Sequence, residues 1–380
     1  MFYSLPYIIV FSIYVFFSLA RNGIKNKQMV LFFIFSSFFL LFLFIGLKGY
    51  IYGDWIIYKQ MFSEAPSLFE SAGRIKSFLH YEHFSSIEHG FLLWMIICKT
   101  ITNNYLLFQS ISFIIDYIII VYLLREYLGE YWIIGVCFYY LFGLLSMEVV
   151  YLRNIKALLL FIYSIRYINN NFLKYVLINI LACFFHLSSI IYFPLYFILS
   201  KKWNRKLLLG IFIIGNILYL GQISITRNIF VFIAKMINIP KLDFYLESGY
   251  GKSNGITIGF LERFFTFILF YKMYPKVNIR DKDILFNCGY IYMILNFIFF
   301  DFYIISGRFG SIFVFSYWFL FPAIYKTINN KENKYLFFLI LLFYGILKIY
   351  ANTNRPWCMY NNILNEIDVN TFLRYVKQSS

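Results

Sequence analysis

Charge is what this 380-residue chain has least of. Only 14% of its positions are Asp, Glu, Lys or Arg, while 61% are hydrophobic, and the mean hydropathy is +0.69. A soluble domain carries roughly 25% charged residues to cover its core, so this balance excludes a water-soluble fold. Cysteine is sparse as well. The five residues Cys98, Cys137, Cys183, Cys288 and Cys358 are scattered, with no CxxC and no His/Cys pairing, which excludes a disulfide or zinc framework and leaves them as core fillers. There is no internal repeat, no separate soluble domain and no loop large enough to fold as a nucleic-acid-binding module. The net charge of +16 therefore needs another explanation.

What is present is a series of long apolar blocks. Residues 29–47 hold no charge over a length that spans a bilayer core of about 30 Å. The first apolar run begins at once, without a basic leader, and reads as a first span. Further spans fall near 3–20, 105–124, 132–151, 154–168, 207–225, 256–271, 284–305, 309–325 and 335–351. Half of the 34 Lys and Arg lie in short loops between them, such as Lys201, Lys202, Arg205 and Lys206, and Lys272, Lys276, Arg280 and Lys282. Basic short loops mark the cytoplasmic side.

This weave implies an all-α fold: one integral membrane domain over 1–380, a polytopic transmembrane helical bundle of about 10–12 spans. Outward loops fall at about 48–104 and 226–255, and an outward tail at 352–380. The stretch 174–200 has basic residues at both ends and is too short for two full spans. It is expected to form two short helices meeting at His186, with Pro194 in the returning half. Residues 91–101 are too short to cross and should lie along the outer leaflet.

Ionisable groups at membrane depth cost several kcal/mol unless they face water or a partner. The weave gathers Lys48, Asp54, Arg153, Lys156, His186, Glu262, Arg263, Asp301 and Arg308 toward the outer face. Arg offers a rigid donor fork for phosphate oxygens, and a carboxylate or neutral His can take a proton from a hydroxyl. This layer suits an anionic, lipid-linked substrate. The plain alternative is that span-end cations only snorkel to headgroups and that His186 only closes its hairpin. Glu64, Glu70, Glu82 and Glu88 read as solvated loop charges.

The same residues carry a family resemblance. The run from Lys48 to Tyr58 (KGYIYGDWIIY) resembles the pattern that follows the second span in the EpsG family of Wzy-like polysaccharide polymerases, roughly R-x-x-x-x-G-x-D-x-x-x-Y. Glu88-His89-Gly90-Phe91 resembles the family's E-x-G-F, Arg153-Asn154-Ile155-Lys156-Ala157 its R-Q-x-x-A, and Phe185-His186-Leu187-Ser188 its F-H-x-S. Arg308 resembles a later Arg at a span start. The elements keep family order over about 45–310. Lys48 stands where Arg is usual, and Asn154 where Gln is usual.

The resemblance implies a metal-independent, cofactor-free membrane glycosyltransferase of GT-C-like architecture. It would polymerise undecaprenyl-diphosphate-linked oligosaccharide units for a surface polysaccharide, as an O-antigen, capsule or exopolysaccharide polymerase. It would work at the outer face of the bacterial inner membrane, among membrane lipids, with a chain-length regulator as a further partner and no nucleic acid. His186 and Asp54 are the candidates for handling the acceptor proton. Arg153, Lys156, Arg308, Arg263, Lys48 and Glu88 are the candidates for holding diphosphate and glycan. Rival readings are a flippase for lipid-linked oligosaccharide, an O-antigen ligase and a membrane O-acetyltransferase. A flippase would spread its charges through the depth of a cavity and often repeat its halves.

Overall fold

The computed structural model describes residues 2–21, 24, 26–51, 54–81, 87–223, 256–301 and 305–365. The expected outward loop 226–255 and the end of the tail beyond 365 lie outside them. The structure is 79% helical and has no strand among the described residues. The chain is an all-α membrane protein. Lys27–Gly46, Tyr105–Met147 and Lys331–Thr353 are long and apolar enough to cross a membrane. A further pair, Ser306–Phe313 and Ser316–Lys326, passes the same length and composition test as one span bent by 47°.

Two compact units divide the chain: residues 1–196 with 328–380, and residues 197–327. The first unit carries most of the motifs. Its helices are α1 (Leu5–Arg21), α2 (Lys27–Leu41), α3 (Trp55–Glu64), α4 (Ala72–Leu79), α5 (His89–Ile101), α6 (Tyr105–Leu128), α7 (Trp132–Tyr139), α8 (Leu152–Ser164), α9 (Phe172–Phe185) and, near the end of the chain, Lys331–Thr353, while α10 (Tyr192–Leu199) straddles the division at residue 196.

Local chemistry sets the boundaries. Asn26, Asn104 and Asn171 cap α2, α6 and α9, each accepting a backbone N–H with its side chain. α6 stops at Gly129, whose φ of 58° turns the chain back into α7, packed against α6. α2 ends in a widened turn, Phe42–Gly46. Beyond it, Lys48 bridges Asn362 while Gly49 donates to the Asn361 carbonyl (2.8 Å), so the C-terminal segment pins the first motif run.

The expected double helix at 174–200 is present as α9 and the apolar stretch Leu187–Leu199. His186 is the extended residue between them (φ −157°, ψ 116°), and Pro194 lies in the returning half. α9 packs along α8 and also touches α5. The short apolar segment expected at 91–101 is α5, thirteen residues long and short of a membrane crossing.

In the second unit, α11 (Arg205–Leu220), α12 (Ile258–Met273), α13 (Lys282–Ile298) and α14 (Ser316–Lys326) pack around aromatic rings. Phe212 stacks on Phe267 with ring centres 3.9 Å apart, and Tyr219 on Phe260 at 4.4 Å.

Candidate functional site

Three of the four motif segments of the first unit meet at one carboxylate, and the fourth joins through a tyrosine. Glu88 is the residue just before α5, and its side chain is 15% exposed. Its Oε2 accepts from Arg153 Nη1 at 2.6 Å. Its Oε1 accepts from the Leu187 backbone N–H at 2.8 Å and lies 3.1 Å from His186 Nδ1. Tyr58, from the first motif run, places its hydroxyl 3.3 Å from Arg153 Nε and its ring edge-on to Phe91. The expectation that Glu88 is a solvated loop charge is therefore corrected: it is the hub of the cluster.

The close approach needs Gly90. A Cβ built at that position would stand 2.5 Å from the Phe184 carbonyl oxygen and 2.7 Å from its carbon. Only a residue without a side chain lets α5 lie directly on the end of α9, where His186 and Leu187 follow. The Glu-x-Gly spacing thus has a physical cause: Gly90 sets the approach and Glu88 uses it.

Electrostatics fix the protonation pattern at this hub. Burial alone pushes the Glu88 carboxyl up. Hydrogen bonds from His186 and Leu187 and the Arg153 charge outweigh it and hold its pKa at about 2. An ionised carboxylate only accepts hydrogen bonds, so Nδ1 of His186 carries the proton that points at Glu88. Nε2 of a neutral His186 is then a bare acceptor. A base held in one tautomer by a carboxylate is able to receive a proton from a hydroxyl. Beside it stands a guanidinium whose side chain is 20% exposed, suited to an anionic oxygen.

The other expected residues fall elsewhere. Asp54 sits exposed at the start of α3, one turn before Tyr58, and makes no cap hydrogen bond with its side chain. Lys156 is buried on α8 and donates both ways to Asp116 of α6 (2.8 and 3.1 Å), with its ammonium 5.0 Å from the Trp94 ring centre. Lys48 is buried too, and Nζ donates to the Glu148 carbonyl at 2.5 Å. The Glu148 side chain accepts from Tyr139 (2.8 Å). Arg263 and Arg308 belong to the second unit. Arg263 folds back along α12 over Gly259, where a Cβ would meet its Nη1 at 3.1 Å. Arg308 is exposed, and its carbonyl accepts from Ser311 (2.7 Å), while Asp301 is buried.

Sequence reasoning missed Asp116 and Glu148. A signal for both was present, since each is a lone acid in an apolar run, at 105–124 and 132–151.

Fold and site together define a helical membrane protein with a half-buried Glu–His–Arg cluster built from short motifs far apart in the chain. The EpsG family model matches residues 30–364, and the chain belongs to the EpsG family, membrane proteins of polysaccharide biosynthesis of the Wzy-like polymerase type. No curated protein and no solved structure matches the chain.

Proposed function

We propose that the protein polymerises polyprenyl-diphosphate-linked oligosaccharide units of a bacterial surface polysaccharide, and that the Glu88–His186–Arg153 cluster is its catalytic centre. The observation that carries this reading is the meeting of Tyr58, Glu88, Arg153 and His186, from four separate family motifs, around one ionised carboxylate. In the proposed step, a hydroxyl of the incoming unit attacks the anomeric carbon of the growing chain. The bond from that carbon to the diphosphate oxygen breaks, and the lipid diphosphate leaves with the electron pair. His186 Nε2 receives the hydroxyl proton. Arg153, oriented by Glu88 and Tyr58, holds the departing charge. Asp54, exposed one turn from Tyr58, is proposed to bind the glycan of the incoming unit. Lys156 and Lys48, turned toward Asp116 and Glu148, are proposed to hold the helices in register.

The cluster is proposed to face the exterior of the cytoplasmic membrane. On α8, Arg153 lies at one end and the basic loop residue Arg166 follows the other, thirteen residues on, or about 20 Å at 1.5 Å per residue. Basic loops face the cytoplasm, so the Arg153 end faces out. The deciding experiment uses purified protein in detergent with a lipid-linked repeat unit and gel separation of the products. A ladder of extended glycans requires bond-making chemistry that a flippase lacks. No extension in detergent, with transbilayer movement of the same lipid in vesicles, overturns the proposal.

A further inference from the structure

A cavity of about 380 Å³ opens in the first unit beside the cluster. Two helix stripes face each other across it. Ile115, Ile119 and Tyr122 lie at i, i+4 and i+7 on α6, and Lys156, Leu160 and Tyr163 at the same spacing on α8. Asp116, Leu159, Trp94 and Phe185 complete its lining. Apart from the Asp116–Lys156 pair, the walls are hydrocarbon and aromatic. The volume falls near the lower end of the roughly 300–1,000 Å³ usual for ligand sites. Ile115 and Tyr122 are 39% and 52% exposed, so the cavity reaches the flank of a helix that is long and apolar enough to lie in a membrane.

Its position links it to the cluster twice. Lys156 stands one turn after Arg153 on α8, and Phe185 immediately precedes His186. The cavity and the cluster thus draw on the same two segments, the start of α8 and the end of α9. A free sugar has no partners for its hydroxyls on such walls. A hydrocarbon chain loses nothing by entering and gains close contacts. From Lys156 to Tyr163 the stripe runs seven residues, about 10 Å, which takes the head-proximal part of a long chain and leaves the rest in the bilayer.

We propose that this cavity is the binding site for the first isoprenoid units of the lipid diphosphate whose head is held at Arg153. The inference rests on the glycan-transfer reading for the identity of the head group, and on the cavity itself for the chain. The test uses the full-length protein in nanodiscs and a polyprenyl diphosphate carrying a diazirine in its head-proximal isoprene unit. After irradiation, peptide mass spectrometry locates the label. The expected labels fall within residues 115–122 and 156–163. They are chased by unlabelled polyprenyl phosphate and not by phosphatidylglycerol. Leu160→Trp, which fills the cavity, lowers the yield about tenfold, a loss of ~1.4 kcal/mol of binding, and Ile119→Trp does the same from the facing helix. Label elsewhere in the wild-type protein overturns the proposal without reliance on either variant. Equal chase by phosphatidylglycerol overturns it too, because the cavity then takes any acyl chain. Labelling at these segments without glycan extension keeps the chain site and removes the transfer reading. Extension without such labelling does the reverse.

Discussion

Replacing Gly90 by Ala adds one methyl group at the place where α5 meets the end of α9. That methyl would stand 2.5 Å from the Phe184 carbonyl oxygen, whereas relaxed contacts of this kind begin at about 3.5 Å. The obstacle is backbone and cannot rotate away, so the two segments must part by about 1 Å. Glu88 moves with α5, while His186 and Leu187 stay with α9. The Nδ1–Oε1 separation of 3.1 Å would then approach 4 Å, beyond a hydrogen bond. Overpacking of this type costs ~1–3 kcal/mol of stability. A 1 Å misplacement of a catalytic group costs roughly a hundredfold in rate. The expected outcome for Gly90→Ala is folded protein at reduced yield with the polymer ladder nearly lost. Gly73→Ala serves as the control, because a Cβ there meets nothing within 4 Å. It lies in α4 and should be neutral or stabilising by ~0.5–1 kcal/mol. The assay is ladder length on gels from cells matched for membrane-inserted protein. Wild-type ladders from Gly90→Ala would show that the contact between α5 and α9 does not set the geometry of the centre, and the role given to Glu88 would fall with it.

His186→Gln keeps a donor toward Glu88 but cannot take up a proton, so extension should drop by about 10²–10⁴-fold with expression unchanged. Near-normal ladders from Gln would leave His186 a hairpin-closing residue only. Arg153→Lys should fail almost as badly as Arg153→Ala, because an ammonium cannot keep Glu88 and Tyr58 engaged while presenting a planar fork; rescue by Lys would reduce Arg153 to a generic charge. Asp116→Asn strands the Lys156 ammonium in the bundle, and ~3–5 kcal/mol of stability should go with it. Asp116→Leu combined with Lys156→Met should restore the folded yield, read by size-exclusion chromatography in detergent. The pKa of Glu88 is lowered from 4.5 to about 2 in the folded protein, so its stabilising contribution is complete above pH 4.5 and is lost as pH falls toward 2. The melting-temperature gap between wild type and Glu88→Gln should therefore shrink as pH falls from 4.5 toward 2. A gap that closes near pH 6 contradicts the assigned ionisation.

Much of this arrangement is legible in the sequence alone, and the parts that are not share one cause. The hairpin around His186 followed from two basic flanks and a length between one span and two, both local facts. The helix at 29–47 followed from an uninterrupted apolar run. Motif order pointed to Glu88, Arg153 and His186 as members of one set. The role of Glu88 was not legible, because its neighbours Glu82 and His83 make the segment look like an ordinary charged loop. Only its contact with His186, 98 residues away in sequence, shows that the carboxylate is half-buried and engaged. Lys156 and Lys48 looked like headgroup cations for the same reason. A lysine near a span end snorkels or pairs according to what the next helix offers, and Asp116 is 40 residues distant. The motif Gly was visible as a letter, but its purpose is a distance to another helix.

The two ion pairs on α8 explain why both charges of the Arg-x-x-Lys element sit there. Arg153 and Lys156 are three residues apart, so they lie on one face of the helix. Each meets an acid from a different element, Glu88 before α5 and Asp116 within α6. One such pair would leave the helix free to rotate about the contact. Two pairs on different neighbours fix both its rotation and its height. The deep pair is nearly sealed from solvent, so a rotation of α8 that separated Lys156 from Asp116 would leave two uncompensated charges inside the bundle, a cost of several kcal/mol. That cost is what holds Arg153 still. The outer pair is about one-fifth exposed on the arginine side, so its guanidinium retains access to a ligand. With Glu88 gripping the backbone of Leu187 as well, His186 and Arg153 are tied to the same carboxylate. A centre of this kind stabilises charge that develops during reaction without having to reorganise, which is the property that transfer from a diphosphate demands.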